Sequence, residues 1–425
     1  MRLLPAQPPP GPFRPGFWRS PLRGPWLTSI LGSLLLILTT ITAVTGFLSH
    51  LAYNPDLGMN AVIDPSRDVP LPFALDFWPG GPSWLYRLNQ GLHVNVGLVA
   101  IPFLLFKLWS VIPRLFAWPP AVSPAQAIER LSIALLVSSA VFLFATGIFN
   151  TSYDYAFQFN FVVAHYYAAV VFSASLVLHV AIKAPIIRRA YRERGVLKPL
   201  RDDLAHTRRE PEDPHGGLVA PEPDEPTITR RGVLLFAGGG SLALLIANVG
   251  ATIGGPLRPL AFLQPRREGA GGGGPGDFPV NKTAQSAGIT PGQVAAGAYA
   301  LDLGTRQLSR QELLALPQRT AKLPIACVEG WSSVQEWTGV PLAELARLAG
   351  APDAEQCFVE SLQERGILRE ATLTRGQFTA DDALLALKVN GEDLTMDHGF
   401  PARVIVPGLP GVHNTKWVAK LTFRS

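Results

Sequence analysis

The stretch FVVAHYYAAVVFSASLVLHV, residues 161–180, decides the fold, because it is an uncharged apolar run that contains two histidines. His165 and His179 are separated by close to four helical turns, so both imidazoles project from nearly the same face, about 21 Å apart along the axis. Imidazole is a usual axial ligand of buried haem iron, and polar groups are expensive inside the hydrocarbon of a bilayer. A redox membrane protein is therefore the first hypothesis.

Four more apolar runs of similar length accompany this stretch in a chain of 425 residues, 48% of them hydrophobic. The five runs extend over about 26–51, 91–111, 131–149, 157–182 and 232–253. We interpret them as five transmembrane helices of a membrane protein with soluble portions. The first run is too long for a cleaved signal peptide and no small-residue cleavage site follows it, so we expect it to stay in the mature protein.

The bias of Lys and Arg among the connecting segments indicates the orientation. The N-terminal tail carries four arginines and no acid, and a second basic cluster follows the fourth run, whereas the loop between the first two runs holds only Arg67 and Arg87. Both basic segments are expected in the cytoplasm, and five crossings then place the C-terminal domain outside the cell membrane. The net charge of +5 is explained by this signal and by contact with anionic lipid, so we expect no nucleic-acid partner.

Composition divides the chain into six predicted parts. They are a disordered cytoplasmic tail (1–25), a four-helix membrane domain (26–183), a charged and proline-rich cytoplasmic linker (184–229), a fifth transmembrane helix (230–254), a glycine-rich tether (255–277) and a soluble domain (278–425). In the soluble domain, short β-branched runs end at Gly, Pro or Asn, and SRQELLAL and PLAELARLAG have helical spacing. We therefore expect an α+β domain dominated by strands.

The fifth apolar run opens with TITRRGVLLFAGGGSLALL, residues 227–245. Its start resembles a twin-arginine export signal placed inside the chain. Because such export carries domains that have already folded around a cofactor, the following domain would be a cofactor protein. Alternatively, Arg230 and Arg231 are only positive-inside anchors, and both interpretations stay open.

The histidines of the membrane helices predict a haem site. His165 lies in the outer half of the fourth helix and His93 near the outer end of the second, and two facing imidazoles are what a six-coordinate b haem needs. His179 lies near the inner end of the fourth helix. His50, at the outer end of the first helix, replaces His93, contacts a haem propionate, lies near a quinol site or is a plain interfacial histidine. For any one histidine alone, a structural role is the default.

This arrangement over about 160 residues resembles the four-helix cytochrome b subunits of formate dehydrogenases and nickel-iron hydrogenases. The resemblance implies haem b and electron exchange with the quinone pool. In that family the inner haem takes its second ligand from the inner end of the first helix. Here that region reads WLTSILGS, residues 26–33, and contains no histidine. A second haem at His179 is therefore the weaker part of the prediction.

The segment ACVEGWSSVQEWTGVPLAELARLAG, residues 326–350, contains the first of two cysteines. Cys327 follows an apolar strand in a turn-rich stretch where a thiolate could bind a metal. A buried structural cysteine is the alternative, and a disulfide with Cys357 is another, because the exterior is oxidising. Cys357 itself lies in an apolar strand and is expected to be a core thiol.

Two motifs resemble the molybdenum-binding domain of the sulfite oxidase superfamily, including the periplasmic methionine sulfoxide reductase branch. The first is the Cys327 segment, and the second is VNGEDLTMDHGFPARVIVPGLPGVHNTKWVAKL, residues 389–421. The resemblance covers about 150 residues and implies that Cys327 ligates molybdenum. It further implies that Arg403 and Lys416 hold the pyranopterin and its phosphate, as charged donors can, unless they are solvated charges at a strand edge. The remaining cofactor contacts that it implies are His398, Asn414, Asn281 and Lys282.

The chain also departs from the sulfite oxidases. The dimerising domain of those enzymes is not expected here, and GILREATLTRGQFTADDALL, residues 366–385, lacks the tyrosine that they place beside the metal. The arginines that grip sulfite cannot be assigned, although Arg365, Arg369 and Arg375 are available. Sulfite is therefore not supported as the substrate.

Together these patterns predict a four-helix membrane bundle with a fifth transmembrane helix, followed by a mainly β molybdopterin domain of the sulfite oxidase type. The expected function is a membrane-bound oxidoreductase that couples an extracytoplasmic molybdenum site to haem b and the quinone pool, with a small oxo-transfer substrate. Two alternatives remain: a non-catalytic redox or binding module with a degenerate pterin fold, and a haem relay that serves a separate redox partner.

Overall fold

The computed structural model describes residues 7–53, 78–121, 123–150, 159, 161–211, 217–263, 278–364 and 369–425. Within these ranges, five helices are long and apolar enough to cross a membrane, which supports membrane association. They are α1 (Pro25–Tyr53), α2 (Leu85–Leu115), α3 (Pro124–Phe149), α4 (Phe161–Arg194) and α5 (Arg230–Ile253). The loop at 54–77 and most of the predicted tether, 264–277, lie outside the described residues.

Three helices extend well beyond the apolar runs that predict them, and one of them, α3, begins at Pro124, ahead of its run at 131–149. α2 begins at Leu85, and α4 continues past Ile182 to Arg194 with Pro185 inside it. An apolar run marks only the part of a helix that matches the hydrocarbon core, and backbone hydrogen bonding continues into the polar region beyond it. The predicted boundary between bundle and linker therefore falls within α4.

The chain divides into two compact units. The first contains Met1–Ala43, Asn95–Ile148 and Phe159–Leu245, and the second contains Val44–Val94, Phe149–Gln158 and Ile246–Ser425. Helices α1, α2, α3 and α5 each contribute residues to both units.

In the first unit, the described part of the linker packs against helix ends through Glu210. The buried Glu210 carboxylate accepts a hydrogen bond from the Trp26 backbone at 2.8 Å and lies 3.4 Å from both Arg194 and Arg230. Arg230, which is fully buried, also donates to the Arg208 carbonyl at 2.8 Å. The linker was not expected to fold alone, and these ion pairs show that it is held by the helices instead. Arg230 thus has a structural role that sequence reasoning missed.

The mainly β C-terminal domain, part of the second unit, is confirmed. One sheet has the order β2-β1-β10-β5-β6, and the other has β3-β4-β7-β8 with β9 paired to β7. The strands are β1 (Ala300–Asp302), β2 (Gln307–Ser309), β3 (Arg319–Ala326), β4 (Ser332–Pro341), β5 (Gln356–Ser361), β6 (Glu370–Thr374), β7 (Leu384–Val389), β8 (Glu392–Asp393), β9 (Arg403–Ile405) and β10 (Val418–Arg424). The short helices are α6 (Ala284–Ala287), α7 (Pro291–Val294), α8 (Arg310–Ala315), α9 (Leu342–Leu348) and α10 (Arg375–Phe378).

No disulfide joins the two cysteines. Cys327 directly follows β3, whereas Cys357 is fully buried within β5. Burial raises the pKa of Cys357 to about 12, so this thiol stays protonated and unreactive. The disulfide alternative is therefore wrong, and Cys357 is the core thiol that its apolar strand predicts.

Candidate functional site

The hairpin between β3 and β4 positions Cys327. The two strands pair antiparallel from Arg319↔Gly339 to Ala326↔Ser332, and Cys327 is the first residue of the connecting turn. Its backbone N–H donates to the Trp331 carbonyl at 2.9 Å, and Gly330 donates back to the Cys327 carbonyl at 3.1 Å. Gly330 has φ +93°, a conformation that favours glycine. These bonds hold the Cys327 side chain, which is 3% exposed, at the end of the sheet.

Sheet pairing brings Arg403 to the same place. β4 pairs with β7, and β7 pairs with β9 so that Ala386 lies opposite Arg403. Arg403, Asn281, Gly411 and Lys416 line two adjoining pockets of about 310 and 250 Å³. Cys327 lines the smaller pocket, and we call the two pockets together the basic cleft. The predicted residues Cys327, Arg403, Lys416, Asn414, Asn281 and Lys282 all line it.

Of the three cations that line the basic cleft, Arg403 and Lys416 are buried, and both donate hydrogen bonds to backbone carbonyls. The Lys416 ammonium donates to the carbonyls of Lys282 and Asp397, both at 2.8 Å, and Arg403 Nη1 donates to the His398 carbonyl at 3.2 Å. Burial lowers the pKa of Arg403 to about 9, against the opposing effect of the nearby Cys327. Burial and the Arg403 charge lower the pKa of Lys416 well below its usual value. An anion bound in the cleft would stabilise both charges.

Three buried polar atoms of this region have no hydrogen-bond partner among the described residues: Arg403 Nε, Asn414 Nδ2 and Thr415 Oγ1. The other end of the Asn414 side chain is used, since Oδ1 accepts from the Val406 backbone at 2.6 Å. Buried polar groups are nearly always hydrogen-bonded, so these atoms indicate a bound group rich in acceptors. A phosphorylated pterin has that chemistry, and the residues of the cleft fit it.

His398 does not line the basic cleft, although the sequence predicts it as a cofactor contact. Its Nε2 donates to the Phe278 carbonyl at 3.0 Å, so Nδ1 accepts from Thr395 Oγ1 at 2.8 Å. Burial lowers the pKa of His398 to about 4, which agrees with a neutral ring. Both ring nitrogens bind protein groups, and His398 supports Arg403 through its backbone carbonyl instead.

Sequence reasoning missed several residues of the cleft, among them Thr415, Gln363 and Trp331. Thr415 lies between the predicted Asn414 and Lys416, so its position was a usable signal. Gln363 is far from either motif and offered none. Of the arginines considered for substrate, Arg365 lies outside the described residues, and Arg369 and Arg375 form ion pairs at the surface with Glu370 at 2.6 Å and Asp353 at 3.3 Å.

The predicted haem ligands belong to both units: His50 and His93 to the second, His165 and His179 to the first. Thr146 Oγ1 donates to the Phe142 carbonyl at 2.7 Å, so it accepts from His165 Nδ1 at 3.1 Å. This places the Nδ1 hydrogen of His165 on Thr146 and the ring's lone pair on Nε2. The pairing of His93 with His165 stays a prediction, as do the roles of His50 and His179.

Comparison with known proteins is consistent with this site. Residues 290–425 match the family model described as the oxidoreductase molybdopterin binding domain. The uncharacterized oxidoreductase YuiH of Bacillus subtilis (strain 168) is 36% identical over 117 residues, which cover 27% of this chain and 58% of YuiH. The sulfite oxidase of Arabidopsis thaliana is 39% identical over 90 residues, 20% of this chain and 23% of that enzyme. The NADPH nitrate reductase of Phytophthora infestans is 38% identical over 94 residues, 21% of this chain and 10% of that enzyme.

The matches confirm that the C-terminal region is a molybdopterin-binding oxidoreductase domain of the sulfite oxidase type. The chain spans 58% of YuiH and less than a quarter of the other two proteins. The likeness therefore concerns the domain that contains the basic cleft.

The substitution Lys416→Met should lower the molybdenum content of the purified protein by roughly tenfold or more, because removing one partner of a buried charge contact costs several kcal/mol. The loss is measured as the molar ratio of molybdenum to protein, determined by plasma mass spectrometry after dialysis. Lys420→Met is the matched control, since Lys420 is half-exposed and pairs with Asp302 at 3.7 Å. Wild-type molybdenum content in folded Lys416→Met protein would contradict the assignment.

The burial of His413 predicts that the folded protein is less stable in acid. It is buried, its Nε2 donates to the Ala52 carbonyl at 3.2 Å, and burial lowers its pKa from 6.5 to about 4. Between these values the unfolded chain binds more protons than the folded one, so stability should fall as pH falls from 6.5 to 4.

The variant His413→Gln should lose less thermal stability than the wild type over this pH window, because one histidine that gains a proton on unfolding is gone, while His398 still adds a dependence of the same sign. Tryptophan fluorescence during heating in detergent measures the midpoint. His206→Gln, which changes an exposed histidine, should behave as the wild type. Equal pH dependence in all three proteins would refute the role of His413.

Proposed function

We propose that the protein is a membrane-bound molybdopterin-dependent oxidoreductase in which an extracytoplasmic molybdenum site exchanges electrons with haem b and, through it, with the quinone pool. The basic cleft is the observation that carries this proposal. It combines a buried thiol with two buried cations that donate to backbone carbonyls, and Arg403, Asn414 and Thr415 each have a polar atom without a hydrogen-bond partner in the part of the chain that the structure describes. These features suit a thiolate-ligated metal held by a phosphorylated organic cofactor.

When bound, the molybdenum cofactor supplies the exchange of an oxygen atom and two electrons with a small substrate. Cys327 offers its sulfur as ligand, and the Arg403 guanidinium favours the thiolate form by its charge. Lys416 provides a point charge for phosphate, whereas Arg403 offers the planar donor fork that suits phosphate or pterin oxygens. The backbone bonds of the Cys327 turn keep the sulfur in place before the cofactor arrives.

The haem part of the proposal is supported by the hydrogen bond between His165 and Thr146. With Nδ1–H bound to Thr146, the ring's lone pair is on Nε2, the atom through which His165 would ligate iron, and such a second bond also orients a ligating imidazole. We propose His93 as its partner, at the depth that the sequence predicts. His50 and His179 are secondary candidates, the latter for an inner haem.

The extracytoplasmic location is supported by the distribution of Lys and Arg. In the second unit, the C-terminal domain contacts the Tyr53 end of α1, where Ala52 accepts the bond from His413. Electrons that reach this end of the helices would be close to the domain that holds molybdenum. A quinone in the bilayer is then the natural exchange partner for the haem, and the substrate approaches from the aqueous side.

The proposal is tested in two ways. The purified wild type is examined by metal analysis and by a reduced-minus-oxidised visible spectrum, and its activity is compared with that of Cys327→Ser. We expect molybdenum and a b-type spectrum in the wild type. Cys327→Ser should lower the reduction of S-oxides or N-oxides by reduced viologen at least about 100-fold, the upper end of losses seen even for partners outside the first coordination shell. Cys357→Ser is the matched control and should keep the activity.

The outcomes separate the alternatives. Haem without molybdenum would favour a relay that serves a separate redox partner. Neither cofactor would favour a binding module with a degenerate pterin fold. Activity that survives Cys327→Ser would remove the assigned ligand.

The ligand role of His165 is tested by His165→Ala, which should abolish the α-band of the reduced spectrum while molybdenum content stays unchanged. His206→Ala, which changes an exposed histidine, should keep the full spectrum. Half of the absorbance remaining in His165→Ala, and its further loss on adding His179→Ala, would instead indicate a second haem. An unchanged spectrum in His165→Ala would refute the assignment.

A further inference from the structure

We propose that Gln90 is a positioning residue that holds the Cys327 turn against membrane helix α2 and connects the molybdenum site to the haem at His93. This inference rests on the proposed function for the identity of the two redox groups. The contacts that carry it all lie within the second unit.

The Cys327 turn lies directly on α2. Gln90 Nε2 donates to the carbonyl of Val328, the residue after Cys327, at 2.7 Å. One helical turn further on, Val94 packs so closely on Gly330 that a Cβ there would lie 2.9 Å from a Val94 methyl group. Two features therefore require glycine at position 330: its positive φ and the close approach of Val94.

The Gln90 side chain is locked in this position. It is 5% exposed, and its Oε1 accepts from Ser49 Oγ of α1 at 2.9 Å. Ser49 Oγ also lies 3.1 Å from the Tyr86 hydroxyl, one turn before Gln90 on α2. A buried amide is costly unless both of its ends are hydrogen-bonded, so this network selects one rotamer. The amide group of Gln90 thus points at Val328 before any cofactor is bound.

Gln90 also lies one helical turn from the predicted haem ligand. Residues three apart share a side of a helix, so His93 and Gln90 are neighbours on α2. The ring of His93 packs on α1, where a Cβ at Gly46 would lie 2.8 Å from His93 Cε1. A bonded route therefore runs from Cys327 through Val328 and the Gln90 amide to His93.

The step that uses this route is an electron transfer. One electron would pass between the haem iron and the molybdenum, so the metal that loses it would be oxidised by one unit and the metal that gains it reduced by one unit, while quinol or quinone would balance the haem on the other side. No bond breaks, and no proton has to cross the hydrogen bond between Gln90 and Val328. The role of Gln90 is to keep the two ends of the route in contact.

Thr252 of α5 also bonds to the Cys327 turn, because its Oγ1 donates to the Gly330 carbonyl at 3.0 Å and its own carbonyl accepts from Ser332 Oγ. Two further bonds of the C-terminal domain do not involve this turn. Trp78 Nε1 donates to the Gly408 carbonyl at 2.6 Å, and His413 donates to Ala52 at 3.2 Å. Removing one of these bonds changes how the domain is held without touching Val328. Trp78→Phe is therefore a matched control for Gln90→Leu.

The test compares wild type, Gln90→Leu, Ser49→Ala and Trp78→Phe in detergent. Deuterium uptake by a peptide that contains 327–332, measured on protein without added substrate, should rise in Gln90→Leu, rise less in Ser49→Ala and stay at the wild-type value in Trp78→Phe. Flash reduction of the haem by a deazaflavin, followed by its reoxidation, measures the internal electron transfer. Gln90→Leu should slow it by about tenfold or more, the range for loss of an outer-shell partner.

Molybdenum content and the haem spectrum are measured on every variant. If the wild type lacks either cofactor, the proposed function fails, and deuterium uptake still tests the positioning role. If both cofactors are present and Gln90→Leu matches the wild type in uptake and rate, the inference about Gln90 is wrong. Equal slowing in Trp78→Phe would also overturn it, because a general docking effect would then explain the result.

Discussion

The burial of two positive charges beside a thiol is the constraint on which the site depends. A buried cation costs several kcal/mol unless charge or hydrogen bonds compensate it. Arg403 and Lys416 donate hydrogen bonds to backbone carbonyls, and burial still lowers the pKa of both. Burying these two charges therefore costs the domain free energy. A bound anion would lower that cost, so the cleft favours an anionic ligand.

The hairpin of β3 and β4 positions the thiol, lies beside a buried cation and contacts a membrane helix. The pairing of β3 with β4 ends in the turn that carries Cys327, the pairing of β7 with β9 adds Arg403 beside it, and the outer surface of the turn contacts α2. A change in the register of β4 by one residue would move every side chain of the strand to the other face. Cofactor binding and contact with the membrane segments thus depend on the same backbone hydrogen bonds.

Much of this could be predicted, but not uniformly. The five helices follow from apolar runs, because a bilayer requires that length and composition. Cys327, Arg403 and Lys416 follow from two motifs, since each motif contains the residue types that a thiolate ligand and an anion site need. The helix ends could not be predicted in this way, because a helix can continue into polar sequence beyond the apolar run. His398 has the right motif position but a different role, which only its two hydrogen bonds reveal.

The sequence by itself determined the number of apolar helices, the mainly β character of the C-terminal domain and the residue types of its cofactor site. These properties depend on local composition and on short motifs. Only the tertiary structure decided that Cys327 and Cys357 form no disulfide, that Gln363 lines the cleft, and that Gln90 contacts the Cys327 turn. Each of these depends on which distant segments pack together, and the free energy of burying a polar group is set by partners that have no fixed spacing along the chain.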